Sequence, residues 1–199
     1  MNPTRRALHG VAEYLLAGPQ YRASGTIRLR VSDDGFATVA APDLRVAGRD
    51  LVSRDGRYGL HGSTLAELAT AAGLDGGTPG AYERTISIRP DELLEIDPID
   101  AARLTEALAT GDIALRQFAP DEEPVLWPEH FDIAIRVDDL NYGVSPGDPF
   151  IDEPYAYVGV DPVPDGDFWN APFGAARALA DLAGADAVAT FFSEGRSRR

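Results

Sequence analysis

The clearest secondary-structure signal in the chain is Phe131-Asp-Ile-Ala-Ile-Arg-Val137, in which apolar and polar residues alternate. A period of two is typical of a β-strand that has one face on a core and the other in a polar setting. We therefore predict a strand whose odd-numbered residues are buried. His130, Asp132 and Arg136 are expected to lie together on its other side.

The wider stretch 125–170 concentrates aromatic residues, including both tryptophans of the chain. Tyr155 and Tyr157 lie two residues apart in a second predicted strand, so their side chains share a face. If the two strands are neighbours, these rings flank the polar row, as in a small-molecule pocket. The predicted ligand-binding residues are Trp127, Arg136, Asn141, Tyr142, Tyr155, Tyr157 and Trp169.

Glu129 and His130 are the best candidates for acid–base chemistry, with Asp132 as a third group. An imidazole next to carboxylates on one surface is an arrangement that proton transfer uses. The alternative interpretation is structural, because Asp132 can pair with Arg136 or orient His130 on a half-exposed strand.

The first sixty residues predict one helix followed by a meander. Asn2-Pro3 is a helix start, an apolar face follows, and Gly18-Pro19 is expected to end the helix. His9 lies just off the apolar face and is expected at the surface or at a cap. Residues 25–60 then alternate with a period of two across short turns such as Asp55-Gly56, which predicts antiparallel strands.

The remaining segments predict helices and one more strand. Thr64 and Glu67 form a capping box, and Asp97-Pro98 is a second helix start. His61, in the loop before the first of these, is interpreted as a turn residue satisfied by backbone. The other predicted elements are a strand at Tyr82–Ile88 and helices at Ala175–Leu182 and Asp186–Glu194. Together the pattern predicts an α+β fold, with an antiparallel sheet or two-sheet core and helices packed at the ends, in a single globular domain over residues 1–199.

Composition narrows the classes of function. A chain of 199 residues can bury roughly 70% of its unfolded surface without a staple. It has no cysteine, and its formal charge of -14 opposes binding to nucleic acid. No run is long enough to span a membrane, so we expect a cytoplasmic protein. No cofactor is predicted, and the sequence does not indicate an oligomeric state.

Two motifs suggest chemistry that the residues do not support well. Gly143-Val-Ser145-Pro146-Gly147 matches the nucleophile elbow of serine hydrolases, but Pro146 lacks the N–H that the oxyanion hole requires. We therefore predict a turn and no serine nucleophile. Acidic residues at Asp161–Asp167 leave calcium open as an alternative to a simple turn. No metal site is predicted.

Several phrases resemble those of an uncharacterised actinobacterial protein family. They are Trp127-Pro-Glu-His-Phe-Asp, Asn141-Tyr-Gly-Val-Ser-Pro-Gly-Asp, Glu153-Pro-Tyr-Ala-Tyr-Val-Gly and Phe168-Trp-Asn-Ala-Pro-Phe-Gly. The resemblance covers nearly the whole chain and implies one domain in a bacterial cytoplasm. It implies no activity and no catalytic residue.

Three functions remain in competition. The first is binding of a small molecule in a polar-aromatic cleft built by residues 125–170. The second is an enzyme that uses His130 as general acid or base, and the third is a protein-interaction module with an aromatic patch. A pocket lined by Trp127, His130 and Tyr155 favours the first two, whereas a flat exposed aromatic patch favours the third.

Overall fold

The computed structural model describes residues 2–83 and 88–199 of the chain. These residues form two compact units. Unit 1 contains the described residues up to Thr105 together with Leu126–Phe131, and unit 2 contains Glu106–Val125 and Asp132–Arg199. The predicted α+β class with antiparallel strands is confirmed. That the chain forms a single domain stays a prediction.

Unit 1 is built on an antiparallel meander, as predicted. Its strands pair in the order β6-β1-β2-β3-β4-β5, and Leu126 of β6 pairs with Leu29 of β1. The side chains of Phe36 and Leu51 are buried within it. The strands are β1 (Leu29–Ser32), β2 (Gly35–Thr38), β3 (Arg45–Ala47), β4 (Asp50–Ser53), β5 (Gly56–Gly59) and β6 (Val125–Trp127).

The N-terminal helix does not end at Gly18-Pro19, which corrects the prediction. Helix α1 (Pro3–Val11) widens into a π-helical stretch (Ala12–Ala17) and continues as α2 (Gly18–Ser24). Pro19 has no N–H to donate to the preceding turn, and the carbonyl oxygen of Tyr14 in that turn accepts the Gly77 N–H at 3.0 Å. The helix ends at Gly25, whose φ of 77° is the left-handed conformation that glycine adopts readily.

His9 is buried, which corrects its expected position at the surface. It is 5% exposed, and its ring stacks on Phe131 with centroids 5.4 Å apart. Its Nε2 lies 2.7 Å from the carbonyl oxygen of Pro128. Arg5 and Glu13, one helical turn to either side, are buried as well. Apolar periodicity could not reveal this row, because its members are polar.

The predicted helix starts of unit 1 are confirmed. Helix α3 (Leu65–Ala71) begins with the Thr64 and Glu67 capping box. His61 accepts a hydrogen bond at Nδ1 from the Ile96 N–H at 3.1 Å, as a turn residue satisfied by backbone. Asp97 caps α4 (Pro98–Phe118) through its carboxylate. The predicted strand at Tyr82–Ile88 falls on residues 84–87, which lie outside the described residues.

Unit 2 contains four antiparallel strands in the order β10-β9-β8-β7. Residues 175–178, predicted to be helical, instead pair with β9, because cross-strand pairing overrides the helix propensity of an alanine-rich segment. The predicted C-terminal helix is confirmed as α5. The elements are β7 (Asp132–Val137), β8 (Leu140–Ser145), β9 (Tyr155–Gly159), β10 (Gly174–Ala178) and α5 (Ala185–Ser197).

One face of the unit 2 sheet, here called the helical face, packs against α5 and the part of α4 from Glu106 onward. Tyr142 contacts Phe118 and Phe192 on it, with ring centroids 4.5 and 5.8 Å apart. Gly111 lets α4 approach closely, since a Cβ there would lie 2.7 Å from the Ile133 side chain. Most of the buried apolar residues of unit 2 therefore lie on this face.

Candidate functional site: the polar face of unit 2

The opposite face of the unit 2 sheet, here called the polar face, carries a tyrosine that crosses a neighbouring strand. Gly143 of β8 pairs with Ala134 on one side and with Tyr157 on the other. A Cβ at Gly143 would lie 2.5 Å from the Tyr157 hydroxyl oxygen. Because glycine has no side chain, the Tyr157 ring lies over β8 and reaches Asp132 on β7.

Tyr157 and Asp132 form a part-buried polar pair. The Tyr157 hydroxyl donates a hydrogen bond to Oδ2 of Asp132, and Asp132 is only 7% exposed. Burial raises the pKa of Tyr157 well above its usual value, and the negative charge of Asp132 raises it further. Tyr157 is therefore a neutral hydrogen-bond donor at physiological pH.

A second tyrosine–carboxylate pair lies two residues along β9. The Tyr155 hydroxyl donates to Oδ2 of Asp148 at 2.6 Å. The other oxygen of Asp148 accepts the N–H groups of Phe150 and Ile151 at 2.8 and 2.9 Å, which fixes the carboxylate in its loop. Burial raises the pKa of Tyr155, and its hydrogen bond to Asp148 adds to the rise.

Aromatic rings connect these pairs to solvent. The Phe173 ring lies 6.4 Å from Tyr155 and 6.2 Å from Tyr157, and it packs edge-on against Phe150 at 5.4 Å. Phe150 is 53% exposed, whereas Tyr155 is 3% exposed. The rings thus run from the surface to the Tyr155–Asp148 and Tyr157–Asp132 pairs. Together they form what we call the polar-aromatic cluster, which consists of Asp132, Ser145, Asp148, Tyr155, Tyr157 and Phe173.

The structure brings together three of the predicted site residues and separates the others in unit 2. Asp132, Tyr155 and Tyr157 belong to the polar-aromatic cluster. Tyr142 instead lies in the core of the helical face, where burial raises its pKa to about 12. Three further residues lie elsewhere: Arg136 and Asn141 are exposed near the β7–β8 turn, and Trp169 packs against Phe168.

The predicted row of His130, Asp132 and Arg136 along one strand is not formed, and this corrects the prediction. Residues 128–131 make a turn, and Phe131 has a φ of 55°. Strand β7 therefore begins only at Asp132. His130 is on the turn, with its side chain 60% exposed and its Nε2 3.5 Å from Oε1 of Glu129.

Trp127, Glu129 and His130 belong to unit 1. The guanidinium of Arg28 lies 5.8 Å from the centre of the Trp127 ring, which is half-buried. This contact accounts for Trp127 as part of strand β6, which pairs with β1. The predicted site residues that the structure brings together therefore all belong to unit 2.

Sequence reasoning missed Asp148, Phe173 and the role of Gly143. Ser145, considered only as a nucleophile, is a buried residue whose Oγ accepts the Gly147 N–H at 3.2 Å. A signal for Gly143 was present, because a glycine inside a strand marks a place where another group approaches closely. Asp148 and Phe173 come from loops whose path the alternation of residues does not determine.

Unit 1 has a cavity of about 440 Å³ outside the stretch 125–170. It is lined by Pro3, Arg6 and Ala7 and by residues 88, 89, 91–93 and 95. Arg6 and Glu92 form an ion pair on its wall, and Nη2 of Arg6 donates to Oε2 of Glu92 at 2.9 Å. Hydrogen bonding to Arg6 lowers the pKa of Glu92 to about 2. The charges of this pair are thus largely satisfied within the protein.

Comparison with protein-family models, curated proteins and solved structures gave no match. Asp161, Asp165 and Asp167 are exposed, and no group of three or more metal-binding side chains is clustered within residues 2–83 and 88–199. In the same part of the chain, no helix combines the length and apolar character needed to cross a membrane. The contacts of the polar-aromatic cluster therefore carry the functional proposal.

Proposed function

We propose that the protein binds a small molecule at the polar-aromatic cluster of unit 2. The observation that carries the proposal is the Tyr157–Asp132 pair, a carboxylate buried beneath aromatic rings. Buried carboxylates whose environment perturbs neighbouring titratable groups are concentrated at functional sites. Aromatic walls with a few convergent polar groups are the usual composition of small-molecule sites.

The polar face has a small hydrophobic cluster of its own around Tyr155, but most of the buried apolar residues of unit 2 lie on the helical face. The helical face already buries Tyr142, Val144, Val158 and Phe192. Burying a charged carboxylate on the other face opposes folding unless its partners compensate for lost hydration. A function in recognition explains why the polar face carries carboxylates where apolar residues would stabilise the fold more.

The chemistry of the cluster favours a ligand that is rich in hydrogen-bond donors or carries an amine. Asp132 and Asp148 accept hydrogen bonds when ionised. The rings of Tyr155, Tyr157 and Phe173 offer faces that attract a cation. Small amines and polyols are therefore the first compounds to test.

A thermal-shift screen of the full chain with small amines, amides and polyols tests the proposal. A binding compound should raise the melting temperature of the wild type and of Tyr142→Phe, but much less that of Tyr157→Phe. Tyr142→Phe is the matched control, because it removes a hydroxyl from the same sheet on the helical face. A compound that shifts all three proteins equally would place binding elsewhere and contradict the proposal.

The second candidate function is acid–base catalysis by His130. The observation that favours it is the exposed His130 imidazole beside the Glu129 carboxylate in unit 1. His130→Ala should then abolish turnover while leaving the melting temperature nearly unchanged, since the side chain is 60% exposed. A loss of several kcal/mol in folding stability would instead make His130 structural.

A further inference from the structure

Arg177 stands out on the helical face of unit 2 because its charge is half-buried among aromatic rings. It lies on β10, with its guanidinium carbon 5.8 Å from the centre of the Phe168 ring and 5.7 Å from that of Phe191. Cation–π contacts of this kind hold a guanidinium in place without using its N–H donors.

A second arginine approaches the same ring. The guanidinium carbon of Arg198 lies 5.2 Å from the centre of the Phe168 ring. Phe168 is 6% exposed, and Trp169 packs edge-on against it at 4.9 Å. Two cations therefore share one aromatic ring at the end of α5, in a protein whose formal charge is -14.

The two arginines differ in their carboxylate partners. Arg198 pairs with Glu194 at 2.7 Å. Among the described residues, Arg177 has no ion pair, and its one hydrogen bond is from Nη1 to the Ala176 carbonyl oxygen at 3.3 Å. The same carbonyl already accepts the Asn170 side-chain amide at 3.1 Å. Most N–H donors of Arg177 are thus left for another acceptor.

Other arginines with no ion pair among the described residues are in a different environment, because water can solvate their charge. They are all exposed: Arg28, Arg30, Arg45, Arg49, Arg54 and Arg103. Arg177 is half-buried, so water can hydrogen-bond to fewer of its N–H groups and solvates its charge less well. A bound anion would restore both the charge balance and the hydrogen bonds.

We propose that Arg177, supported by Arg198 and the Phe168 ring, binds an oxyanion group of a small molecule, a phosphate or a carboxylate. The planar guanidinium fork matches two oxygens of either group, which is why arginine recognises both. The site lies on the opposite face of the sheet from the polar-aromatic cluster. It stands whether or not that cluster binds a ligand.

The test is an NMR titration of the ¹⁵N-labelled full chain, observing the arginine Nε–Hε signals. Sodium phosphate, phenyl phosphate and sodium acetate are added in separate arms, with sodium chloride holding the ionic strength constant. A saturable shift of the Arg177 signal in at least one arm supports the site, and the arm with the tightest binding distinguishes phosphate from carboxylate. No saturable shift in any arm, or equal shifts at all arginines, would overturn it.

Matched variants locate the site. Arg177→Gln should weaken anion binding by about tenfold or more, the usual effect of losing charged hydrogen bonds. Arg103→Gln removes the same charge from an exposed position and should bind as the wild type does. Equal affinity in the two variants would contradict the proposal. Should Arg177→Gln fail to fold, the wild-type titration still decides, and Arg177→Lys, which keeps the charge and loses the fork, should bind more weakly than Arg103→Gln.

Discussion

The two faces of the unit 2 sheet use the same residue type in opposite ways. Tyr142 lies on the helical face, fully buried between Phe118 and Phe192, and its hydroxyl has no hydrogen-bond partner among the described residues. Tyr157 lies on the polar face and donates its hydroxyl to Asp132. A tyrosine thus supplies volume on one face and a directed hydrogen bond on the other, so its place in the sheet decides which property matters.

The largest expected effect comes from removing the Tyr142 side chain and tests whether it packs in a core. Tyr142→Ala should lower the free energy of unfolding by about 3–5 kcal/mol, as for other large aromatic-to-alanine changes in a core. The reason is the cavity left between the rings of Phe118 and Phe192. Urea unfolding followed by circular dichroism measures the change. A loss below about 1 kcal/mol would mean that Tyr142 is not part of a packed core.

Removing only the hydroxyl should change the free energy of unfolding in different directions at the two tyrosines. Tyr157→Phe leaves the buried Asp132 carboxylate without the Tyr157 donor and should cost about 1–3 kcal/mol. Tyr142→Phe removes a buried hydroxyl without a partner in the described residues, so it should be neutral or stabilising by up to about 1 kcal/mol. Urea unfolding of both variants side by side is the measurement. Equal changes in the two would break the comparison.

Alkaline pH should destabilise both faces through their tyrosines. The pKa of Tyr142 is raised from 10.0 to about 12, and burial together with the charge of Asp132 raises the pKa of Tyr157 well above its usual value. Above pH 10, the unfolded chain loses phenolic protons that the folded chain keeps, so stability falls as pH rises. Each group lowers the stability by at most about 1.4 kcal/mol per pH unit, a slope that is approached only about one unit above pH 10.

Urea unfolding at pH 8, 10 and 11 measures this dependence. Tyr142→Phe and Tyr157→Phe should each fall less steeply than the wild type above pH 10, because each lacks one ionising phenol. An unchanged slope in Tyr157→Phe would show that its pKa is not raised by folding.

Sequence periodicity predicted the elements whose hydrophobic pattern is local. The meander at residues 25–60, the Thr64 capping box and the shared face of Tyr155 and Tyr157 follow from spacing alone. Strand β10 did not, since its alanines favour a helix in isolation and only pairing with β9 makes them extended.

The candidate site was predictable in part for the same reason. Asp132 and Tyr157 lie on strands, so the alternation of residues placed them on a polar face. Asp148 and Phe173 lie on loops, and their approach to β9 depends on tertiary contacts. His130 was misplaced because Phe131 adopts a positive φ, which a bulky residue rarely does, so the alternation starts only at Asp132, one residue later than predicted.

The smallest expected effect is that of a substitution at Arg136, at the exposed end of the polar face. Arg136 is on the same side of β7 as Asp132, but its side chain is 66% exposed and its ion pair with Asp139, at 3.3 Å, is also exposed. Exposed pairs of this kind contribute little, so Arg136→Ala should change the free energy of unfolding by less than about 0.5 kcal/mol. Urea unfolding measures that change.

A ligand-binding measurement tests more directly whether Arg136 belongs to the proposed site. A compound that requires Tyr157 should bind Arg136→Ala as tightly as it binds the wild type. The reason is that Arg136 pairs with Asp139 near the β7–β8 turn, and within the described residues no hydrogen bond or ion pair joins it to the polar-aromatic cluster. Isothermal titration of the two proteins with the same compound measures this. If Arg136→Ala weakens binding as strongly as Tyr157→Phe does, the site extends along the whole polar face, and the distinction between its buried and exposed ends is wrong.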